Sequence, residues 1–467
     1  MAHPGDVICL RAGRRGALTL RDIAGTEAMP ITLQACDGTV TLEGTSGDVL
    51  ALNDVRHLRV TGAGGEEPHL RVDGAAMASI GIHANGCTEH VELDHVEVFN
   101  TTYTALRAHA ENASCPVREA FFVHDVHFHD VGGEGLFIGI NSAVTPYRIE
   151  GVRIEDSLIE RTGFQGLKVG QVGDAVLRRN VLVDVGIGGI GGEDTGLALG
   201  PGSVVRAERN VVVRAAASCV GFGGRSLTLI NNVFAGCGGR GVVVNGQSDT
   251  SERQIAILHN TFVAIHDEGF THWAPAPPTR GVVANNLFVG IVGGTSIAGI
   301  RTEGAWTLEG NLLFNDATAA GVNPRDVMRV GAATLGAAPF DLLASSPARD
   351  AAVAVSGYAV ARDFLDRLRD SSPDVGAYEE GVVIAADAGL DAGFEDAATS
   401  LDANAPRDDA GAREAGSNAD DAGPSPSPSS SCAVRVPSRS SAGFGWLFGA
   451  LVVLSEVRRR RAPALPH

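Results

Sequence analysis

Lysine is almost missing from this chain of 467 residues: of 37 basic side chains, only Lys168 is a lysine. Aromatic residues are also scarce, at 5% of the chain, and methionine occurs four times. The net charge is −18, and the sequence has no basic stripe. An acidic chain without such a stripe argues against nucleic acid as a partner.

Long apolar runs are missing as well. The first residues, MAHPGDVICL, contain no apolar segment of the length that an export signal needs. The apolar run at 442–454 is shorter than the roughly 20 residues that span a bilayer comfortably. Phosphate-binding loops, nucleophile elbows and zinc-protease motifs are absent too, so those enzyme classes lack support.

Glycine, by contrast, is abundant at 60 residues, and two short phrases recur along the first 380 residues. One is Asn or Asp followed by alternating apolar residues; the other is Gly followed by apolar-x-apolar, as in GLFIG, GLKVG and GLALG. The polar residue of the first phrase is found at Asp125, Asp156, Asn180, Asn210, Asn232, Asn260, Asn286 and Asn311. These spacings of 22 to 31 residues predict an all-β solenoid, with Gly or Asn at left-handed corners.

On these phrases, residues 5–380 resemble the right-handed parallel β-helix proteins, the architecture of pectate lyases and related polysaccharide enzymes. The alternative, a sandwich of short strands, would not need a rung period. Two later stretches, SPARDAA at 346–352 and DFLDRLRDSSPDVGAYE at 363–379, resemble the closing segment of the choice-of-anchor Q surface proteins. We therefore expect one β-helix domain over 1–380.

The remaining chain divides into a linker and a tail. Residues 381–431 carry ten acidic and two basic residues with repeated Asp-Ala-Gly, which predicts a disordered spacer. Residues 432–467 contain Cys432, the apolar run 442–454 and the arginine cluster 458–461. This order resembles a MYXO-CTERM sorting signal and implies export, with anchoring through Cys432 and membrane contact through the tail alone. The alternative is a disordered apolar tail. Because export needs a leader, we expect the natural start to lie upstream.

Six cysteines precede the tail. Cys9 and Cys36 are 27 residues apart and Cys87 and Cys115 are 28 apart, close to one rung. Neighbouring rungs stack about 4.8 Å apart, within reach of a disulfide, so two bonds are predicted, with buried thiols as the alternative. Cys219 and Cys237, 18 apart, fit this register less well.

Strand alternation predicts which side chains of the second phrase point outward. They form two columns next to a corner that carries Glu134 and Gln165, and Gln171 follows the strand of Lys168. The first column contains His83, Arg107, Phe137, Lys168, Ala198, Val243, Thr271 and Arg301, and the second contains Asn85, His109, Asn245, Trp273 and Glu303.

The resemblance to polysaccharide lyases implies roles for these residues. Such enzymes remove a proton α to a uronate carboxylate, which needs a base and cations that stabilise the developing charge. By this resemblance Lys168 acts as base or charge stabiliser, Arg107 neutralises the carboxylate, and His109 or Glu134 assists. His83, Asn85, Phe137, Gln165, Gln171, Trp273 and Arg301 are the candidate glycan contacts. The alternative is a set of solvated side chains on an exposed sheet.

Two further groups stand out. In VHDVHFHD, His127 and His129 share a face and could ligate zinc or copper, but the sequence defines no third ligand, and structural histidines are the preferred interpretation. Phe270, Trp273 and Trp306 could form a platform for sugar rings, or could be loop-packing residues.

The resulting hypothesis is an exported, surface-anchored monomer that binds an acidic polysaccharide and cleaves it by β-elimination or hydrolysis. Calcium is left open as a cofactor. The alternative hypothesis is a non-catalytic adhesion or structural rod.

Overall fold

A computed structural model describes residues 2–63, 68–142, 145–245, 253–272, 279–293, 295–298, 305–314, 342–343 and 345–380. The described residues belong to one compact unit, Met1–Val383. The predicted linker and tail, with Cys432, lie outside the described residues. Within the described ranges, no helix has the length and apolar character needed to cross a membrane.

The described residues form 35 strands, which make three parallel sheets. Sheet A contains β1 (Val7–Leu10), β4 (Ile31–Ala35), β7 (Arg56–Thr61), β10 (Glu89–Asp94), β13 (Val117–His124), β16 (Arg148–Glu155), β19 (Ala175–Arg178), β22 (Val204–Glu208), β25 (Ser226–Ile230), β28 (Arg253–Leu258), β31 (Thr279–Ala284) and β34 (Ala305–Glu309). Sheet B contains β2 (Gly13–Gly16), β5 (Val40–Glu43), β8 (Leu70–Asp73), β11 (Val96–Phe99), β14 (His127–Val131), β17 (Leu158–Thr162), β20 (Val181–Val185), β23 (Val211–Val213), β26 (Val233–Ala235), β29 (Thr261–Val263), β32 (Leu287–Val289) and β35 (Leu312–Phe314). Sheet C contains β3 (Leu18–Arg21), β6 (Asp48–Asn53), β9 (Ile80–Asn85), β12 (Leu106–His109), β15 (Leu136–Gly139), β18 (Leu167–Gly170), β21 (Leu197–Leu199), β24 (Val220–Phe222), β27 (Val242–Val244), β30 (Glu268–His272) and β33 (Thr295–Ala298).

Each turn of the chain, or rung, contributes one strand to each sheet in the order A, B, C and stacks on the rung before it. Apolar residues alternate inward along the strands; in β18, for example, Leu167 and Val169 are fully buried while Lys168 faces outward. The stacked inward side chains form one continuous core. The predicted parallel β-helix is therefore confirmed, and the sandwich alternative is wrong.

From the rung of Asn180 onward, the corner between sheets A and B is one residue in the left-handed region followed by an inward asparagine. In the rung of β22 and β23 these are Arg209, with φ 56°, and Asn210, which is fully buried. The Asn210 side-chain amide donates to Asn232 Oδ1 at 2.9 Å and to the Leu177 carbonyl at 2.8 Å. The same contacts repeat in consecutive rungs and form a ladder of Asn180, Asn210, Asn232, Asn260, Asn286 and Asn311.

The ladder starts later than the sequence phrase predicts. Asp125 and Asp156 are themselves the left-handed corner residues, with φ 52° and 48°. The inward position after them is taken by Val126 and Ser157, both buried. The expectation of Asn at the left-handed corner is wrong by one residue for the ladder asparagines, because the left-handed residue is the one before, as Arg209 is before Asn210.

Three disulfides connect rungs. The predicted pairs Cys9–Cys36 and Cys87–Cys115 are bonded, with Cα atoms 5.6 and 5.7 Å apart. Cys219 and Cys237 are also bonded, with Cα atoms 5.6 Å apart. Cys219 does align with Gly241, since Val220 pairs with Val242, but both cysteines point into the core at the corner between sheets B and C and meet diagonally. The expectation that disulfide partners occupy the same position in neighbouring rungs therefore does not hold for this pair.

The described residues of 342–380, here called the covering segment, fold back on the solenoid. They pack on the outward side of sheet B, where Val183, Val213 and Val289 are buried. The segment is fixed by hydrogen bonds, including Ala377 N to Thr261 Oγ1 at 2.9 Å. Within it, the Arg369 guanidinium binds the Glu379 carboxylate at 3.0 Å, and both side chains are almost fully buried. Val355, Tyr358 and Val360 of the segment pack on outward residues of sheet A, so the segment replaces solvent over parts of sheets B and A.

Candidate functional site

Sheet C presents the predicted outward column. Its strand register aligns Thr19, Ala51, His83, Arg107, Phe137, Lys168, Ala198, Gly221, Val243 and Thr271 in successive rungs. Ala298 pairs with Thr271 in the next rung, so it takes the position predicted for Arg301. Arg301, Glu303 and Trp273 lie outside the described residues. The alignment expected from the Gly phrase is otherwise correct, except that it omitted Gly221.

Lys168 is bound by two carboxylates. Its ammonium lies 3.0 Å from Glu193 Oε2 and 3.4 Å from Glu134 Oε1, and its side chain is 11% exposed. Glu134 is buried at the corner before β15, where its other oxygen accepts a hydrogen bond from Thr104 Oγ1 at 2.8 Å. Glu193 is more exposed, at 34%. The lone lysine is therefore a partly shielded cation with one fixed partner and one accessible partner.

Glu193 belongs to the glycine-rich connection 186–196, GIGGIGGEDTG, which joins β20 to β21. With Lys168 and Phe137 it lines a depression of about 150 Å³ on sheet C. Gln165 lies at the same depression; its amide donates to the Gly192 carbonyl at 3.1 Å. Its Oε1 is buried and has no hydrogen-bond partner among the described residues. The depression thus offers one cation and one unused acceptor.

Phe137 separates Arg107 from Lys168. The Arg107 guanidinium carbon lies 5.8 Å and Lys168 Nζ lies 5.1 Å from the centre of the Phe137 ring. The His109 ring packs edge-on against the same phenyl ring, with centroids 6.2 Å apart. Burial, and then the charge of Arg107, lower the pKa of His109, so its imidazole is neutral at pH 7. The four side chains form one band across three rungs.

The other predicted contacts are placed around this band. His83 Nδ1 lies 2.8 Å from Asp48 Oδ2, two rungs away from Phe137 along the column. Gln171 donates to the Ser142 carbonyl at 2.6 Å, beyond the end of β18. Asn85 ends β9, one rung before His109. The column therefore does not converge on one point, and of the predicted site residues that the structure describes, Glu134, Gln165 and Phe137 lie next to Lys168.

Two of the three residues predicted to form an aromatic platform, Phe270 and Trp306, do not form one. Phe270 is fully buried in the core, and Trp306 packs against it with ring centroids 5.7 Å apart.

The sequence alone does not identify Glu193 as a partner of Lys168, because the glycine-rich connection has no strand pattern that would align the two residues. What the sequence does show is a charged residue inside an unusually long connection between two strands.

Histidine and carboxylate side chains meet elsewhere on the solenoid. Two groups within the described ranges hold ligand atoms within 4.8 Å of one another, namely Glu97 with His127 and His129, and Glu92 with Asp94 and His124. Both lie outside sheet C, on sheets B and A. Glu97 thus joins His127 and His129 as a third group with a suitable ligand atom, which the sequence did not define.

Comparisons with known proteins support the fold. Residues 81–288 match the family described as the right handed beta helix region. No curated protein sequence matches the chain significantly. Among solved structures, pectate lyase Pel9A superposes with a TM-score of 0.50 at 14% identity, covering 81% of this chain and 89% of that one.

Two more solved structures are similar at lower scores. An alginate lyase from Paenibacillus sp. str. FPU-7 has a TM-score of 0.41 and 17% identity, covering 59% of this chain and 91% of that one. The GH136 lacto-N-biosidase from Eubacterium ramulus has a TM-score of 0.43 and 12% identity, covering 67% and 63%. At these identities the likeness concerns the fold alone. The chain folds as a right-handed parallel β-helix.

Proposed function

We propose that this protein binds an acidic polysaccharide along the outward face of sheet C and that Lys168 recognises a glycan carboxylate. The observation that carries the proposal is the Glu193 contact. A carboxylate from an exposed, glycine-rich connection sits 3.0 Å from the Lys168 ammonium. A uronate carboxylate has the same charge and the same oxygen geometry, so it can take the place of Glu193.

The neighbouring groups fit a sugar acid. Gln165 Oε1, buried and unpartnered among the described residues, is available to accept a glycan hydroxyl. Satisfying a buried acceptor is worth about 1–3 kcal/mol, which favours a hydroxylated ligand at this position. Arg107, on the other side of Phe137, supplies a second cation for the next sugar acid of the polysaccharide.

We further propose cleavage by β-elimination in the same groove. The neutral imidazole of His109 takes the proton α to the uronate carboxylate, because burial and Arg107 lower the pKa of that side chain. The electron pair left on carbon forms the new double bond as the glycosidic oxygen leaves and takes a proton from water. Arg107, on the same strand as His109, stabilises the charge that develops on that carboxylate, while Lys168 holds the carboxylate of the neighbouring sugar.

A non-catalytic rod is the second candidate. It is favoured by the two protein carboxylates that already bind Lys168, and by the distribution of His83, Arg107 and Lys168 over separate rungs. In that case the solenoid holds a surface partner or spaces it from the cell. The two candidates differ in whether an unsaturated product is formed.

The test uses the full chain and three variants with polygalacturonate, alginate, chondroitin and a neutral glucan, with and without calcium. Binding is followed by affinity electrophoresis and cleavage by the ultraviolet absorbance of unsaturated uronate. Lys168→Ala removes the cation, Glu193→Gln removes its competitor, and Arg153→Ala is the control. Arg153 is exposed on sheet A of the same rung as Lys168.

We expect binding to an acidic polymer that Lys168→Ala weakens by at least about tenfold, as loss of a charged contact worth 1.4 kcal/mol or more would. Glu193→Gln should tighten binding, and Arg153→Ala should leave it unchanged. Equal binding by all four proteins, or binding of the neutral glucan alone, would contradict the recognition of a carboxylate. Binding without ultraviolet product across the panel would leave the rod as the function.

We also propose that the protein is exported. Its three inter-rung disulfides form and persist in oxidising compartments. Anchoring at the cell surface through Cys432 stays a prediction from the sequence. Mass spectrometry of the mature protein checks both, since export predicts oxidised cysteines and sorting predicts loss of the apolar run 442–454.

A further inference from the structure

We propose that sheet B carries a binding site for a divalent transition metal of the zinc class, formed by Glu97, His127 and His129. The site is independent of the glycan groove because it lies on a different sheet. Strand register brings the ligands together: Glu97 on β11 pairs with His127 on β14, and His129 follows two residues later on the same face. Their ligand atoms lie within 4.8 Å of one another.

The histidines present the same ring nitrogen to neighbouring carboxylates. His129 Nε2 lies 3.0 Å from Glu97 Oε1, and His127 Nε2 lies 3.0 Å from Glu160 Oε1. The two imidazole rings are 4.2 Å apart, centroid to centroid. Two imidazole nitrogens and the Glu97 carboxylate are thus gathered on β11 and β14, with Glu160 of β17 next to His127.

Two of the three ligands, His129 and Glu97, are held from behind by a second partner, and so is the neighbouring Glu160. Asp130 Oδ2 lies 2.6 Å from His129 Nδ1, which leaves Nε2 facing the cluster. Arg71 binds both oxygens of Glu97, at 2.5 and 3.0 Å, and Arg161 binds Glu160 Oε2 at 2.6 Å. A carboxylate on the second ring nitrogen is the arrangement that orients and strengthens metal-bound histidines.

The ligand set selects the metal. Imidazole nitrogen with a carboxylate oxygen suits zinc and its neighbours, whereas calcium and magnesium prefer oxygen alone. Zinc bound at about 2.0–2.2 Å to each atom places tetrahedral ligand atoms roughly 3.3 Å apart, so small side-chain rotations complete the site. Three protein ligands leave one position for water, for Glu160 or for an outside group.

The cluster is accessible without being fully solvated. The side chains of His129 and Glu97 are 13% and 17% exposed, and His127 is 32% exposed. An ion can therefore enter through the His127 side while the other two ligands stay fixed. The competing arrangement is a network of hydrogen-bonded ion pairs without metal, and the experiment separates the two.

The test is a zinc titration of the full chain, produced without a histidine tag and stripped with a chelator, followed by calorimetry and by the absorption spectrum of the cobalt(II) form. His129→Ala and His127→Ala remove ligands, and Asp130→Asn removes the support behind His129. His266→Ala is the matched control, because His266 is exposed and its Nδ1 lies 3.0 Å from Asp267 Oδ1, a contact like that of His129 with Asp130. His124→Ala probes the other histidine–carboxylate group.

We expect one zinc per chain and a cobalt spectrum typical of four-coordinate nitrogen and oxygen ligation. Asp130→Asn should weaken binding about 10–100-fold, and the two ligand variants should weaken it further. His266→Ala and His124→Ala should bind as the parent does. Absence of binding by the parent, equal binding by the ligand variants, or loss of binding in His124→Ala alone would each overturn the proposal.

Discussion

The outward side of sheet B has two halves with opposite chemistry. In the rungs of β11, β14 and β17 it carries Glu97, His127, His129 and Glu160, which remain partly exposed. In the rungs of β20, β23, β26 and β32 it carries valine, leucine and alanine, which the covering segment buries. We call these the open half and the covered half.

The two halves show that the inward core residues of a strand do not determine the chemistry of its outward side chains. Both halves bury the same kind of inward residue, such as Phe128 on β14 and Phe234 on β26. The outward residues differ, and among the described residues the covering segment packs on the half that would otherwise expose apolar surface. The polar side chains on the open half pair with one another and stay partly exposed.

The largest expected loss of unfolding free energy comes from breaking the buried ion pair inside the covering segment. Arg369→Met removes a guanidinium that binds Glu379, Asn231 and the Gly376 carbonyl, and leaves the Glu379 carboxylate buried without its cation. Breaking such a buried pair costs about 3–5 kcal/mol of unfolding free energy. Urea unfolding measures it, with the more exposed Arg362→Met as the control. A loss below about 1 kcal/mol would show that the covering segment is not locked by this pair.

A smaller effect is expected from trimming the apolar surface beneath the segment. Val213→Ala removes two methyl groups from a side chain that is 3% exposed. At about 0.8 kcal/mol for each buried carbon group, and with a further cost for the cavity, the unfolding free energy should fall by about 2 kcal/mol. A change within experimental error would mean that residues 342–380 do not stay packed on sheet B in solution.

Acidification should weaken the covered half through His259. Burial, and then the charge of Arg369, lower the pKa of this histidine well below 6.5, whereas the unfolded chain takes up a proton near 6.5. Stability should therefore fall as the pH drops below about 6.5, by at most about 1.4 kcal/mol per pH unit from this group. Thermal unfolding at pH 7, 6 and 5 should show a shallower dependence in His259→Gln than in the parent or in His266→Gln. Equal slopes in all three proteins would assign the acid sensitivity to other groups.

The smallest expected effect lies in the open half. His127→Ala changes a side chain that is 32% exposed, and in metal-free protein the unfolding free energy should move by less than about 0.5 kcal/mol. Compared with Val213→Ala in the same assay, it tests whether the open half serves binding more than stability. A loss as large as that of Val213→Ala would remove the distinction between the halves.

Much of the fold could be predicted from the sequence because a rung repeats a physical requirement. Each corner needs a left-handed residue and each inward position needs an apolar or ladder side chain, so the Asn and Gly phrases recur. The sheet C column up to Thr271 and two of three disulfides follow from that period. The left-handed corner was predicted one residue too late, because the residue before each ladder asparagine varies in type, as Arg209 and His259 show.

The candidate site was less predictable because it depends on parts of the chain without a period. Glu193 reaches Lys168 from an irregular corner, and Cys219 meets Cys237 diagonally across a corner rather than in register. The covering segment is irregular as well, so no alternation indicates which sheet it covers. Glu97 and His129 come together only once the stacking of β11 on β14 is known.

The asparagine ladder and two of the three disulfides stabilise different parts of the solenoid. Two crosslinks lie ahead of Asn180, where no asparagine ladder runs, and the third joins rungs that the ladder already holds. In a repeat protein each rung is stabilised mainly by its neighbours, so local losses stay local. A reducing environment should therefore fray the molecule from its first rungs while the asparagine-bearing end keeps its shape. Sensitivity to redox conditions is in this way graded along the axis.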